Sequence, residues 1–269
     1  MTTSHRLPVL FIGHGSPMNT IEDNAWRRSW QSLGRELRQS ASPIRLILCV
    51  SAHWLTEGWW LTAMARPRTI HDFGGFPQAL FDQQYPAPGA PDAARTIAEA
   101  VRQPDGRPLG LDEGEWGLDH GSWSVLKPMF PEADIPVVQL SMDYGRPPAE
   151  HLAVGRQLRD LRSDGVLIVA SGNIVHNLRA MQRQVGDHQA HDWAVDFDSH
   201  IAGRIAMGDA QGLVDFQAQG DMARLSQPTW EHYLPLLYAA GAAEADEPVR
   251  FFNEGFQAAS ISMRSVIWG

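Results

Sequence analysis

Five histidines in this chain stand where predicted elements end, each in a short, loop-forming context. They are His14 in Gly13-His14-Gly15-Ser16-Pro17, His53 in Ser51-Ala52-His53-Trp54 and His120 in Leu118-Asp119-His120-Gly121. The other two are His176, at the end of Ser171-Gly172-Asn173-Ile174-Val175-His176, and His232 in Trp230-Glu231-His232-Tyr233. Imidazole is the commonest metal ligand and the only side chain whose unperturbed pKa lies near neutrality. Five of them, gathered from distant points of a fold, can hold a metal ion and move protons around it.

Gathering them requires elements that end at one place. The apolar run 7–12, stopped by Gly13, predicts a buried strand. Residues 44–51 (IRLILCVS) predict a second, because uninterrupted apolar runs suit strands covered on both faces. Between them, Trp26, Trp30, Leu33 and Leu37 recur at helical spacing within 24–39. That βαβ unit predicts a parallel pair with a right-handed crossover. Residues 59–64 predict a third strand, in a hairpin with the second. The stretch 73–89, rich in glycine, proline and aromatics, predicts an ordered loop with one short helix. Further helices are predicted at 92–102, 149–162 and 193–205, further strands at 135–141 and 166–171, and a last strand within 256–268. His14, His53 and His176 each follow a predicted strand by a few residues. Ligands of open α/β sheets bind in the crevice outside the carboxyl ends of the strands. The expectation is a single α/β domain, 1–269, with a central, mostly parallel sheet flanked by helices and a metal site at the carboxyl ends of its strands.

Each residue also has a plainer reading. His14 alone could be an exposed strand-end turn, and His53 alone a core histidine bonded to a carbonyl. Asp119 could orient an imidazole, but adjacent residues rarely face each other, so it reads as structural. His188 and His191, three apart, resemble a local metal pair, yet their segment is polar and opens an amphipathic helix. They read as a solvated face, as do His5, His151 and His200. His71 precedes Asp72 and Phe73 in the aromatic loop and could line a pocket. Trp26, Trp30 and Trp193 read as core, and Cys49, in an apolar run, as inert packing.

Composition excludes several classes. Lys and Arg total 22 against 31 Asp and Glu, a net charge of −9, which argues against a nucleic-acid surface. No stretch approaches the roughly 18 apolar residues of a membrane span, and the start has no long apolar leader segment. The one cysteine rules out an internal disulfide. A soluble, cytoplasmic protein is expected. There is no Gly-x-Ser-x-Gly elbow, no Walker loop and no Gly-x-Gly-x-x-Gly after the first strand.

Seven short motifs, in order, span nearly the whole chain. They are Gly-His-Gly-Ser-Pro, Ser-Ala-His-Trp, His-Asp-Phe-Gly-Gly-Phe-Pro, Tyr-Pro-Ala-Pro-Gly, Leu-Asp-His-Gly-Ser-Trp, Ser-Gly-Asn-Ile-Val-His-Asn and Glu-His-Tyr-Leu-Pro-Leu. Any one is weak, but the ordered set resembles the class III extradiol ring-cleaving dioxygenases of the 4,5-DOPA dioxygenase type. The resemblance implies a single α/β domain, a mononuclear non-haem metal and cleavage of a catechol ring by O₂ next to the diol. It matches His14, His53 and His232 to metal ligands, His176 to an additional ligand or a base, and His120 to a second acid/base. More distant class III enzymes use a glutamate as third ligand, and Glu231 stands beside His232. Helical neighbours point about 100° apart, so one of the two is expected on the metal, His232 by the pattern, with Glu231 in support. Fe(II) is expected for activity, since it must accommodate the diol and O₂, and Zn(II) can compete for imidazoles in a purified sample. A zinc hydrolase on the same cluster and a non-enzymatic binding member of the superfamily are the alternatives. Neither the particular catechol nor the oligomeric state has a signature in the sequence.

Overall fold

Alternation inside the apolar runs decides how the sheet is covered. In β1 (Val9–Gly13) Val9 and Phe11 join one core layer, while Leu10 and Ile12 join the other. In β2 (Leu46–Leu55) Leu46, Leu48 and Val50 face the first layer, and Ile47 and Cys49 the second. A strand buried on both faces must be apolar at every position, which is why these runs are continuous. The computed structural model describes residues 6–182, 184–187 and 189–269.

The remaining strands are β3 (Trp60–Thr62), β4 (Gly110–Asp112), β5 (Val137–Met142), β6 (Val166–Gly172), β7 (Val249–Phe252), β8 (Phe256–Gln257), β9 (Ile261–Ser262) and β10 (Ser265–Trp268). Eight form one sheet in the order β4-β3-β5-β2-β6-β1-β10-β7, and β8 pairs with β9 separately. The central strands β5, β2, β6 and β1 run parallel, and antiparallel pairings appear toward both edges. This is a single α/β domain with a mostly parallel central sheet, as expected. One layer is covered by the helices Ala25–Arg38 and His120–Met129, through Trp26, Trp30, Trp123 and Val125. The other is covered by Pro148–Gln157, Asp192–Ala206 and Leu234–Ala242. Among the described residues no helix is long and apolar enough to cross a membrane.

Several expectations need correction. β1 and β2 are not neighbours: β6 lies between them and pairs with both in parallel. A crossover helix sets direction and handedness but leaves room for a third strand. β3 makes no hairpin with β2; it pairs antiparallel with β5, through Leu61 and Leu140. The tail is not one strand but three short ones, broken at Ala258 and Ala259, which both take positive φ (49° and 64°). The expected helix 149–162 is α-helical over Pro148–Gln157 and tightens to 3₁₀ over Arg159–Asp164. Two edge strands, β4 and β7, were not foreseen, being too short to show alternation.

Candidate metal centre

β1, β2 and β6 deliver the first histidines to one edge. His14 follows β1 directly; its backbone N–H bonds Gly172 O at the end of β6 (3.0 Å), and Gly15 beside it takes φ +58°. His53 lies inside β2 rather than after it. Pairing of β2 with β6 stops at Ser51, and its register against β5 shifts between Val50 and Leu55. Such irregularities re-aim side chains beside functional sites. His232 comes from a turn before the helix Leu234–Ala242, not from the helix itself. That turn sits against β6: Asn173 N–H bonds His232 O (2.8 Å), and a Cβ on Gly172 would lie 2.2 Å from that oxygen. Only glycine allows so close a passage.

The three rings meet. Centroids of His14, His53 and His232 are separated by 5.3, 5.3 and 5.0 Å, and one ring nitrogen from each lies within 4.8 Å of the others. Their protonation follows from their neighbours. Ser171 Oγ gives its own proton to Gly121 O (2.6 Å), so it can only accept from His14 Nδ1 at 3.0 Å. Neutral His14 therefore carries its proton on Nδ1 and a bare lone pair on Nε2. His232 Nδ1 faces Glu231 Oε1 at 2.9 Å, and His53 Nδ1 faces Asp72 Oδ2 at 3.6 Å. Nδ1 of His14 and of His232 thus meets an oxygen at hydrogen-bond distance and that of His53 faces a carboxylate just beyond it, which leaves Nε2 of each ring for the centre. The Nε2 atoms of His14 and His53 stand 3.5 Å apart. Burial, and then the neighbouring histidines, push all three pKa values well below the usual imidazole value. Neutral imidazoles with converging lone pairs are what a transition-metal ion requires, so the residues present fit such an ion.

His176 and His120 flank this triangle. His176 follows β6 by four residues, in a bridge to Ile261. Its ring stacks on His232 at 3.5 Å and 9°. Burial, then the charge on His120, lowers its pKa to about 4. His120 opens the helix His120–Met129, whose N-cap is Asp119. Asp119 bonds Ser122 N–H, Ser51 and Gln139, so its role is structural, as expected. Asp72, which carries no signal in the sequence, holds His120: Oδ1 accepts its backbone N–H (2.9 Å) and Oδ2 lies 2.9 Å from its Nδ1. The second contact is off-axis, so Nδ1 has no straight hydrogen bond. Burial raises the Asp72 pKa, but the contacts with His120 and His53 outweigh it and hold the carboxyl below its usual value.

The histidines lie in a cavity of about 950 Å³, with Met18, Phe73, Phe76, Leu178, Met181 and Ile261 among its walls. His71 is turned away from it, bonded to Gln83 O and packed against Trp123; its neighbours Asp72 and Phe73 line the cavity instead. His151, expected on a solvated face, is fully buried and bonded to Tyr238. His191 caps a helix and bonds Ala180 O, and His200 sits on that helix beside Arg204. Trp26 and Trp30 are core as expected, while Trp193 is half-buried on His191. Cys49 is buried and free, its thiol pushed up to about 12 by burial. His5 and His188 lie outside the described residues.

Residues 1–267 match the family model described as the catalytic LigB subunit of aromatic ring-opening dioxygenase. The 4,5-DOPA dioxygenase extradiol of Escherichia coli K12 is 48% identical over 98% of this chain and 95% of its own length. The protein of the same name from Beta vulgaris is 33% identical, over 96% and 94%. A crystal structure of an uncharacterized protein from Escherichia coli K12 superposes with a TM-score of 0.82 at 42% identity, covering 98% of this chain and all of that one. With the motifs in order, the sheet shared and the histidines gathered at its edge, the chain belongs to the LigB family of aromatic ring-opening dioxygenases.

Proposed function

We propose that this protein cleaves the ring of a catechol next to its diol with O₂, on one metal ion held by His14, His53 and His232. The observation that supports it most is the pattern of the three Nδ1 atoms, each turned to an oxygen so that three Nε2 lone pairs converge in one cavity. When bound there, Fe(II) supplies a redox-active centre with open positions for both catechol oxygens and O₂.

The chain's own residues supply the rest. Catechol hydroxyls keep their protons at neutral pH, so a base must remove one as the diol binds. His176 is neutral, lines the cavity and is free to accept it. Its stacking on His232 argues against ligation: the in-plane lone pairs of two rings 3.5 Å apart and nearly parallel do not converge on one point. His120, with Nδ1 turned to Asp72, presents a basic Nε2 to the cavity; it can take up a proton there and, as the imidazolium, return that proton to oxygen when the ring opens. Phe73 and Phe76 form an aromatic wall suited to a planar substrate. Glu231 holds the far nitrogen of His232 and is read as support. The free, buried Cys49 suits a cytoplasmic setting.

The test is oxygen uptake by Fe(II)-loaded protein with a panel of catechols, following the yellow ring-opened product. Uptake that needs both the catechol and air supports the reading. Ester or amide hydrolysis by zinc-loaded protein without O₂ would instead support the hydrolase alternative, which family membership disfavours. His14→Ala and His53→Ala are expected to lose bound metal and turnover together.

A further inference from the structure

Asp72 stands between a proposed metal ligand and a proposed proton carrier. Its Oδ2 lies 2.9 Å from His120 Nδ1 and 3.6 Å from His53 Nδ1, and the two imidazole centroids are only 3.8 Å apart. Its Oδ1 is pinned by the His120 backbone N–H at 2.9 Å. Oδ2 is off the Nδ1–H axis of His120 and just beyond hydrogen-bond reach of His53, so it acts on both rings by its charge and proximity. We propose that Asp72 is a positioning residue: its carboxylate oxygen, set beside the Nδ1 atoms of both His53 and His120, favours the proton on Nδ1 of each ring and so the tautomer that presents Nε2 to the cavity.

The consequence is chemical. A neutral imidazole has one N–H and one lone pair, and the acceptor at one nitrogen decides which end is which. With Asp72 ionised, His53 Nε2 is a bare lone pair aimed at His14 Nε2, and His120 Nε2 is a lone pair that can take a proton and, once protonated, return it. Asp72 also supplies negative charge beside His120, so an imidazolium formed during turnover is stabilised in place. The same aspartate precedes Phe73, whose ring meets His120 edge-on at 5.4 Å. The loop that walls the cavity therefore also carries the carboxylate that sets its proton chemistry.

Asp72→Asn replaces an acceptor by an amide whose NH₂ cannot receive an N–H, while keeping the shape. The Asp72 side chain is 17% exposed, and melting temperature monitors the fold. In zinc-loaded, ¹⁵N-imidazole-labelled protein, wild-type His120 should be protonated on Nδ1, and in Asp72→Asn on Nε2. Chelator competition should show metal affinity reduced about 10–100-fold, as for other groups that orient a ligand. With iron saturating, kcat should fall roughly 10²–10⁴-fold with KM within about threefold, and Asp72→Glu should recover part of kcat. An unchanged His120 tautomer, or kcat and affinity within twofold of wild type, overturns the proposal. So does a second metal ion per chain that Asp72→Asn removes, because Asp72 is then a ligand. The kinetic arm rests on the ring-cleavage reading; the tautomer and affinity arms do not, so absence of turnover in the wild type would sink that reading and leave Asp72 decided.

Discussion

The imidazoles of His176 and His232 lie face to face, 3.5 Å between centroids and 9° from parallel. His232 is held from its far side by Glu231, and ligand atoms of His176, Glu231 and His232 lie within 4.8 Å of one another, although in-plane lone pairs of two parallel rings do not converge on one point. The stacked ring is neutral, half-buried and placed at the cavity wall. Substitution His176→Gln should therefore reduce turnover by roughly 10²–10⁴-fold with metal content near that of the wild type. Metal loss in proportion to activity would make His176 a ligand.

Ser171 acts on the centre through His14. Its Oγ is the acceptor that puts the His14 proton on Nδ1, and its own proton is committed to Gly121 O. Ser171→Ala leaves that N–H without its acceptor in a site with little access to water. Metal affinity, read by competition with a chelator, should drop about 10–100-fold. An unchanged affinity would show that the tautomer is held some other way.

Glu231 and His232 separate by the same logic. His232→Ala should empty the site, whereas Glu231→Gln should leave a metal bound more weakly, again by about 10–100-fold. Elemental analysis of both proteins after dialysis decides it. Metal kept on losing His232 and lost on changing Glu231 would restore a centre of two histidines and one carboxylate.

Far from the cavity, His151 links two elements in a buried relay. Trp59 Nε1–H donates to Tyr238 Oη (2.6 Å), Tyr238 donates to His151 Nδ1 (2.7 Å), and His151 Nε2–H donates to Arg146 O (3.2 Å). The relay needs neutral histidine, and burial lowers the His151 pKa to about 4. A lowered histidine pKa contributes stability that is complete above about pH 6.5 and lost as pH falls toward 4. The full span is on the order of 3 kcal/mol. His151→Gln should be less stable than wild type at pH 7.5, and the gap should narrow by pH 5. Urea unfolding at the two pH values measures it; a gap that stays constant or widens rejects the titration.

The site was legible in the sequence to the extent that its chemistry is carried by residue type. A histidine after an apolar run and beside glycine is visible without a structure, and His14, His120 and His232 do stand at element ends or in a turn. The apolar run ends at Ser51 and so predicts His53 after a strand; the irregularity that extends β2 depends on how β5 pairs with it. Asp72 and Ser171 carried no signal, since an aspartate in a loop or a serine ending a strand is common. Their roles exist only because residues distant in the chain come within hydrogen-bond reach. His151 shows the converse: a histidine flanked by Glu150 looks solvated until the helix Leu234–Ala242 is packed over it.

By itself, the sequence determined local matters: which runs form strands buried on both faces, where helices begin, and which side chains can bind a metal. Continuous apolar runs and helical spacing act between near neighbours, and their physics does not wait for the fold. Tertiary structure alone decided the strand order, with β6 inserted between β1 and β2, and the protonation of each imidazole. Both depend on contacts between residues far apart in the chain, where the partner at one nitrogen, a serine, a glutamate or an aspartate, decides what the other nitrogen can do.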